Sequence, residues 1–445
     1  MVASTENLPS ERAAWAAAFV AVVVFAGTWA LLHTDLYRQQ ILDTPVYQRY
    51  GNAIADGKVP YRDFELEYPP GALPVFALPG LAEPGHDQDV TTGFRRTFEA
   101  LMWLCGAVVL CAVAIVLRAL RRPPAVMWAV LLFVALAPLL LGALVLSRYD
   151  LWPAALVVGS LAALVSGRLR LGHGFLGAAI TAKLYPALLL PLAVAFAWKR
   201  GGRREAAVCA GIAVAVVAVI FLPFVVLAPG GVWHSVSVQL DRPLQVESLG
   251  SALLLAAHHV FGFGVTEETS HGSQNLEGGA ADALAIVTTA LEVAVLAAIW
   301  IAFARGSGSR ESLVRASAAV LCAFVAFGKV LSPQFLLWLI PVVPLVRGRR
   351  GLWASALLAT ALVLTQVWFP SRYFRYALDF EAGLTWVVLA RDLVLVALAA
   401  VLALPLWAAA SRAKPSGAVR DGPQRSGRVG GLSPDEARRD PAPPS

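Results

Sequence analysis

The sequence predicts an all-α polytopic membrane protein, on the evidence of its composition and the spacing of its apolar runs. Hydrophobic residues make up 58% of the 445 residues and charged residues only 15%, with a mean hydropathy of +0.67. A soluble domain carries about 25% charged residues. Apolar runs of about 20 residues, long enough for a helix to cross the hydrocarbon core, recur along the chain. We therefore expect a bundle of about 11–12 transmembrane helices.

The first expected span is 13–32, after a polar lead of residues 1–12. The tail 409–445 is rich in Arg, Pro, Gly and Ser, which predicts disorder. Together the spans form one predicted transmembrane domain, residues 13–408. The other expected spans lie near 98–117, 125–146, 150–166, 205–228, 281–304, 313–330, 333–346, 352–369 and 384–408.

The stretch 174–198 is harder to place because it lies between two basic segments, one of which is 199–204. Cytoplasmic loops carry an excess of Lys and Arg. The two basic segments can share that side only if 174–198 crosses twice or enters and returns. The predicted turn is Lys183-Leu-Tyr-Pro186, because proline ends helices. This path gives about twelve crossings with both termini in the cytoplasm.

The formal net charge of +7 is carried by short arginine clusters between apolar runs. Membrane orientation accounts for these clusters better than nucleic-acid binding does, so no nucleic-acid partner is expected. The four cysteines lie inside apolar runs without metal-ligand spacing, and neither a metal nor a cofactor is expected. The two long polar loops, 33–97 and 229–280, then fall on the extracytoplasmic side.

The first of these loops is dense in carboxylates, tyrosines and prolines. Thr44 and Pro45 predict the start of a helix that Gly57 ends. Asp43 then lies just outside the helix start, where the dipole favours a carboxylate. In 62–68, acidic residues alternate with apolar ones, which predicts an extended segment.

Several motifs in the chain resemble GT-C class membrane glycosyltransferases, most closely family 87, the polyprenyl-phosphate-mannose type. The resemblance covers roughly residues 13–408 and implies a GT-C-like bundle with a long first extracytoplasmic loop. The motifs are Asp43-Thr-Pro-Val-Tyr47, Tyr50-Gly51, Asp56-Gly57, Pro60-Tyr-Arg-Asp63, Glu67-Tyr-Pro-Pro-Gly71, Ser147-Arg-Tyr-Asp150, Lys183-Leu-Tyr-Pro186, Glu247-Ser-Leu-Gly250 and Lys329-Val-Leu-Ser-Pro-Gln334.

The resemblance implies an inverting hexosyltransferase or pentosyltransferase in the plasma membrane with an extracytoplasmic active site. The donor would be a polyprenyl-phosphate sugar, with mannose the expected sugar, and the acceptor a lipid or glycan of the cell envelope. Asp43 matches the position of the family's catalytic base. From the sequence alone, Asp43 could equally be an acid that only stabilises the helix start.

The predicted substrate-binding residues lie in or beside the same motifs. Arg148 and Asp150 flank Tyr149 and either pair with each other or contact substrate. A lysine in a largely apolar stretch either holds the donor phosphate or extends to lipid headgroups. The full set is Tyr47, Arg62, Asp63, Glu67, Tyr68, Arg148, Asp150, Lys183, Tyr185, Arg242, Glu247, Lys329 and Gln334.

Two other function classes remain open at this stage. A lipid-linked-sugar flippase or transporter would also be polytopic, but transporters often consist of repeated halves, and the halves of this sequence are not alike. A polymer ligase would also use lipid-linked sugars outside the cell, and the early-loop aspartate argues against it.

Overall fold

The structure is a computed structural model that describes residues 11–37, 41–83 and 90–412. The predicted lead through residue 10 and the tail from residue 413 lie outside the described residues. The fold is helical, which confirms the predicted class. Its α-helices are α1 Glu11–Leu32, α2 Thr44–Ala55, α3 Leu73–Ala82, α4 Thr92–Ala119, α5 Pro124–Leu141, α6 Leu144–Ser147, α7 Leu151–Val165, α8 Leu169–Ala182, α9 Leu190–Leu227, α10 Pro229–Leu240, α11 Leu249–Phe261, α12 Gly279–Arg305, α13 Arg310–Phe327, α14 Leu336–Leu339, α15 Gly348–Trp368, α16 Tyr373–Ala377 and α17 Ala382–Arg412.

Seven helical segments within the described residues are long and apolar enough to cross a membrane. One of them, Tyr185–Leu227, contains a break at Gly202, where the backbone has a φ of +78°. This break falls inside the basic segment 199–204 and divides α9 into two halves. Shorter helices occupy other predicted spans, notably α7 at 150–166 and the two arms around Lys183.

The stretch 174–198 is divided where the sequence predicted a turn. Helix α8 ends at Ala182, and Lys183 is extended with φ −159° and ψ 150°. A 3₁₀ helix, Tyr185–Leu189, then leads into α9, against which α8 packs. The chain therefore forms two helical arms with the Lys183 turn between them.

The run 333–346 differs from its prediction as a single transmembrane helix. It forms a 3₁₀ turn at Pro333–Phe335, the short helix α14 and a second 3₁₀ turn at Val343–Leu345. Proline lacks the backbone N–H of a regular helix, and this run contains three prolines. The run is largely buried, so the protein encloses this irregular backbone.

The second long loop contains a small sheet that the all-α prediction did not include. Its strands are β1 Leu244–Gln245, β2 Thr266–Ser270 and β3 Ser273–Glu277. The order is β1-β3-β2, and both pairings are antiparallel. A tight turn at His271-Gly272 joins β2 to β3, so the loop folds as a hairpin, and the sheet packs against α11 and α12.

Charged contacts cluster at one end of the helix bundle. Arg118 near the end of α4 pairs with Glu11 at the start of α1, and Arg122 pairs with Glu311 at 2.8 Å. Arg310 donates to the carbonyl of Ala119. We call this the arginine end. The end of α8 and the first loop lie at the opposite end, which we call the loop end.

The first loop packs against the loop end through aromatic rings and one close backbone approach. Tyr47 stacks on Phe76 with a centroid distance of 4.8 Å. A Cβ on Gly71 would lie 2.5 Å from the Thr181 carbonyl carbon, so only glycine fits there. The expected extended segment after Arg62 starts instead as a compact turn, with Tyr61 at φ 67°.

Candidate active site

A cavity of about 350 Å³ lies at the loop end, between the first loop, the Lys183 turn and α10. Its lining combines cationic and other polar side chains with apolar ones such as Leu188, Leu240 and Phe324. Seven of the predicted substrate-binding residues line it together. They are Tyr47, Glu67, Tyr68, Lys183, Tyr185, Arg242 and Gln334.

Asp43 immediately precedes α2, and its carboxylate contacts two other side chains. No side-chain cap is made to the helix, although Asp43 occupies the capping position. Its Oδ2 instead pairs with Arg148 and accepts a hydrogen bond from the Tyr47 hydroxyl at 3.2 Å. Tyr47 also lines the cavity, so it links the predicted base to the site.

Asp150 anchors Lys183 beside the cavity. The Asp150 Oδ1 accepts a hydrogen bond from Lys183 Nζ at 2.6 Å and one from Trp338 Nε1 at 2.7 Å. Its other oxygen has no partner within the described structure. Arg148 and Asp150 therefore pair with two different residues. The alternative that they pair with each other, which the sequence left open, is wrong.

Three aromatic rings surround the ammonium of Lys183. Its Nζ lies 4.8 Å from the ring centroid of Tyr149, 5.1 Å from that of Trp338 and 5.8 Å from that of Phe335. Trp338 is held in turn by stacking on Tyr185, with centroids 3.9 Å apart and planes within 7°. Cation–π contact and the buried carboxylate hold the charge in place while one side faces the cavity.

Glu247 lies behind this layer and does not line the cavity. Burial raises the pKa of its carboxyl to about 8, against the attraction of Arg391, Arg148 and Arg242. Its backbone carbonyl accepts a hydrogen bond from Arg391 at 2.7 Å. This predicted binding residue is therefore buried beside Arg391, away from the cavity lining.

Six predicted substrate-binding residues lie outside the lining: Arg148, Asp150 and Glu247, described above, and Arg62, Asp63 and Lys329. Arg62 and Asp63 pair with each other at 2.8 Å on an exposed turn. Arg62 and the backbone N–H of Val59 lower the pKa of Asp63 to about 2. Lys329 donates to the carbonyl of Leu240 at 2.9 Å, next to the cavity but not within its lining.

Sequence reasoning missed the site residues that come from the irregular run 333–346 and from α10. Trp338 and Phe335 were assigned to a membrane span, and Gln239 carried no motif. Ser332 lies in the Lys329–Gln334 motif but was not among the predicted binding residues. The closely spaced prolines of that run were the available signal. Within the described residues, no group of three or more His, Cys, Asp or Glu side chains could hold a metal.

Comparison with known proteins decides the family. A family model described as Glycosyltransferase family 87 matches residues 66–333, more than half of the chain. The chain belongs to glycosyltransferase family 87. A search of the curated proteins finds no match for this family 87 chain.

Two solved structures are similar to this family 87 protein at low identity. ArnT from Cupriavidus metallidurans, bound to undecaprenyl phosphate, is 13% identical, with 89% of this chain and 78% of ArnT covered and a TM-score of 0.46. The Archaeoglobus fulgidus oligosaccharyltransferase in complex with Zn and sulfate is 13% identical, with 84% and 52% covered and a TM-score of 0.35.

Proposed function

We propose that this integral membrane glycosyltransferase moves a sugar from a polyprenyl-phosphate donor to a cell-envelope lipid or glycan. The expected sugar is mannose. The observation that carries the proposal is the cavity whose lining the anchored Lys183 shares with Arg242 and Glu67. The cationic side chains of its lining suit a phosphate, and the apolar side chains of Leu188 and Phe324 suit the first isoprene units.

In the proposed reaction, Asp43 takes the proton of the acceptor hydroxyl as its oxygen attacks the anomeric carbon. The bond between that carbon and the phosphate oxygen breaks, and polyprenyl phosphate leaves with the electron pair. Lys183 and Arg242 stabilise the developing negative charge on the phosphate. Attack opposite the leaving group inverts the anomeric configuration.

The proposed site is extracytoplasmic. The arginine end carries the basic clusters, which favours its placement in the cytoplasm and that of the loop end outside. Nucleotide sugars are absent outside the cell, which supports a lipid-linked donor.

The proposal is tested with purified protein, a radiolabelled polyprenyl-phosphate mannose and an extract of cell-envelope lipids and glycans. We expect label in a new glycosidic product, and polyprenyl-phosphate arabinofuranose tests the sugar. Movement of intact donor across proteoliposomes without a new bond would identify a flippase instead. Block transfer of a preassembled glycan, but not of a single sugar, would identify a ligase.

A further inference from the structure

A second and larger cavity lies at the arginine end, remote from the candidate active site. Its volume is about 790 Å³, against about 350 Å³ for the cavity at the loop end. Ligand sites commonly have volumes of about 300–1,000 Å³, so this cavity has room for a ligand of substantial size.

The cavity is a cleft over one face of α4. Helices α1 and α7 each pack against α4, which leaves a strip between them that includes Val108 and Ile115. These two side chains are 47% and 37% exposed. Small residues such as Gly159 and Ala163 form part of the α7 wall.

Further large apolar side chains line the same cleft. Trp15 of α1 is 44% exposed, while Leu171 and Phe175 of α8 are 48% and 37% exposed. A cleft with this lining favours hydrocarbon chains over a polar metabolite.

The rim of the cleft carries more positive than negative charges. Arg118, Arg168 and Arg310 stand there with one carboxylate, Glu11. Glu11 pairs with Arg118, and Arg310 donates to the carbonyl of Ala119. No ion pair joins Arg168 to any residue that the structure describes. The rim therefore has an excess of positive charge directly above an apolar cleft.

We propose that this cleft binds an anionic phospholipid from the leaflet at the arginine end. The acyl chains would lie on α4 between α1 and α8, and the phosphate would contact the guanidinium groups of Arg168 and Arg310. Arginine binds phosphate through two parallel hydrogen bonds, and basic residues at a membrane surface attract anionic lipids. A zwitterionic lipid fits the cleft equally well but gains less from the rim.

The test is native mass spectrometry of the full chain in detergent, titrated with phosphatidylglycerol or phosphatidylcholine. We expect the wild type to retain one phosphatidylglycerol at least tenfold more tightly than phosphatidylcholine. Arg168→Gln should reduce that preference, and Arg168→Gln with Arg310→Gln should abolish it. The matched control replaces Arg349 and Arg350, exposed at the same end but outside the cleft, with glutamine.

A second variant tests the apolar part without changing charge. The Cβ of a residue at 159 would lie 3.8 Å from the Phe175 ring, an ordinary contact, and the other carbons of Gly159→Leu should extend into the cleft that Gly159 lines. It should weaken retention of both lipids. Equal retention of the two lipids by the wild type would overturn the proposal, as would unchanged phosphatidylglycerol binding in Arg168→Gln and Gly159→Leu.

Discussion

The carboxylates of the loop end differ in their surroundings. Asp43 is partly exposed beside Tyr47, with a side-chain exposure of 26%. Asp150 is 1% exposed and already anchors Lys183. Glu67 lines the cavity itself. Among the three, Asp43 and Glu67 remain accessible to an acceptor hydroxyl, and Asp43 is the proposed base.

Asp43→Asn should reduce sugar transfer by about 10²–10⁴-fold, the usual effect of losing a general base. The amide keeps the shape of the side chain but cannot take the proton. Steady-state transfer by purified protein measures the effect, with size-exclusion chromatography as the check on folding. Asp63→Asn is the matched control, because Asp63 pairs with Arg62 on an exposed turn. Normal turnover in Asp43→Asn together with its loss in Glu67→Gln would move the base to Glu67.

Lys183→Met should weaken donor binding or turnover at least tenfold, because it removes the anchored ammonium. Lys183→Arg should also lose activity, since a planar guanidinium presents its donors in a different geometry from the compact ammonium held by Asp150 and three rings. Lys329→Met should cost less, because Lys329 contacts the Leu240 carbonyl outside the cavity lining. Donor titrations of the three variants provide the comparison. Full activity in both Lys183 variants would leave that lysine as a membrane anchor.

Glu247 should make stability depend on pH. Its folded pKa is about 8 against an ordinary value of 4.5, so the folded state holds this proton more tightly than the unfolded state. The resulting stabilisation is complete below pH 4.5 and is lost as the pH rises through 8. Glu247→Gln cannot ionise, so its apparent Tm should fall less than that of the wild type over this interval. Thermal unfolding in detergent, with Glu268→Gln on the exposed hairpin as control, measures the difference. Parallel curves for wild type and Glu247→Gln would show that Glu247 does not titrate in this way.

At the scale of elements, the site depends on how closely the first loop approaches the end of α8. Gly71 lies against Thr181 and Ala182, just before the Lys183 turn. Trp152 of α7 donates to the Gly71 carbonyl at 3.0 Å. This contact fixes the loop that carries Glu67 and Tyr68 relative to the lysine.

Gly71→Ala should therefore reduce sugar transfer by displacing the first loop. Its Cβ would lie 2.5 Å from one backbone atom of Thr181 and 2.7 Å from the Ala182 nitrogen, so the loop must move away from α8. We expect at least a tenfold loss of kcat/KM and a lower apparent Tm. Gly211→Ala is the control, because no atom lies within 4 Å of its added methyl group. Wild-type kinetics in Gly71→Ala would mean that the loop position does not control the reaction.

At the scale of the molecule, the two ends of the bundle should face opposite sides of the membrane. A single cysteine at Glu268, exposed on β2, should react with an impermeant maleimide added to intact cells. One at Arg203, exposed in the basic segment, should react only after permeabilisation. The background replaces the four native cysteines, which are free thiols. External labelling at position 203 would require a different path for 174–198.

The sequence by itself determined the membrane class, the family and the helix break at Lys183, since these depend on composition, local motifs and proline positions. It also indicated seven of the 17 residues that line the loop-end cavity. The pairing of Asp43 with Arg148, and of Asp150 with Lys183, was decided only by tertiary structure. Because Arg148 and Asp150 are close in sequence, they could have paired with each other. The fold instead brings each to a residue far away in the chain. The small sheet and the place of Trp338 likewise depend on long-range packing, to which hydropathy is insensitive.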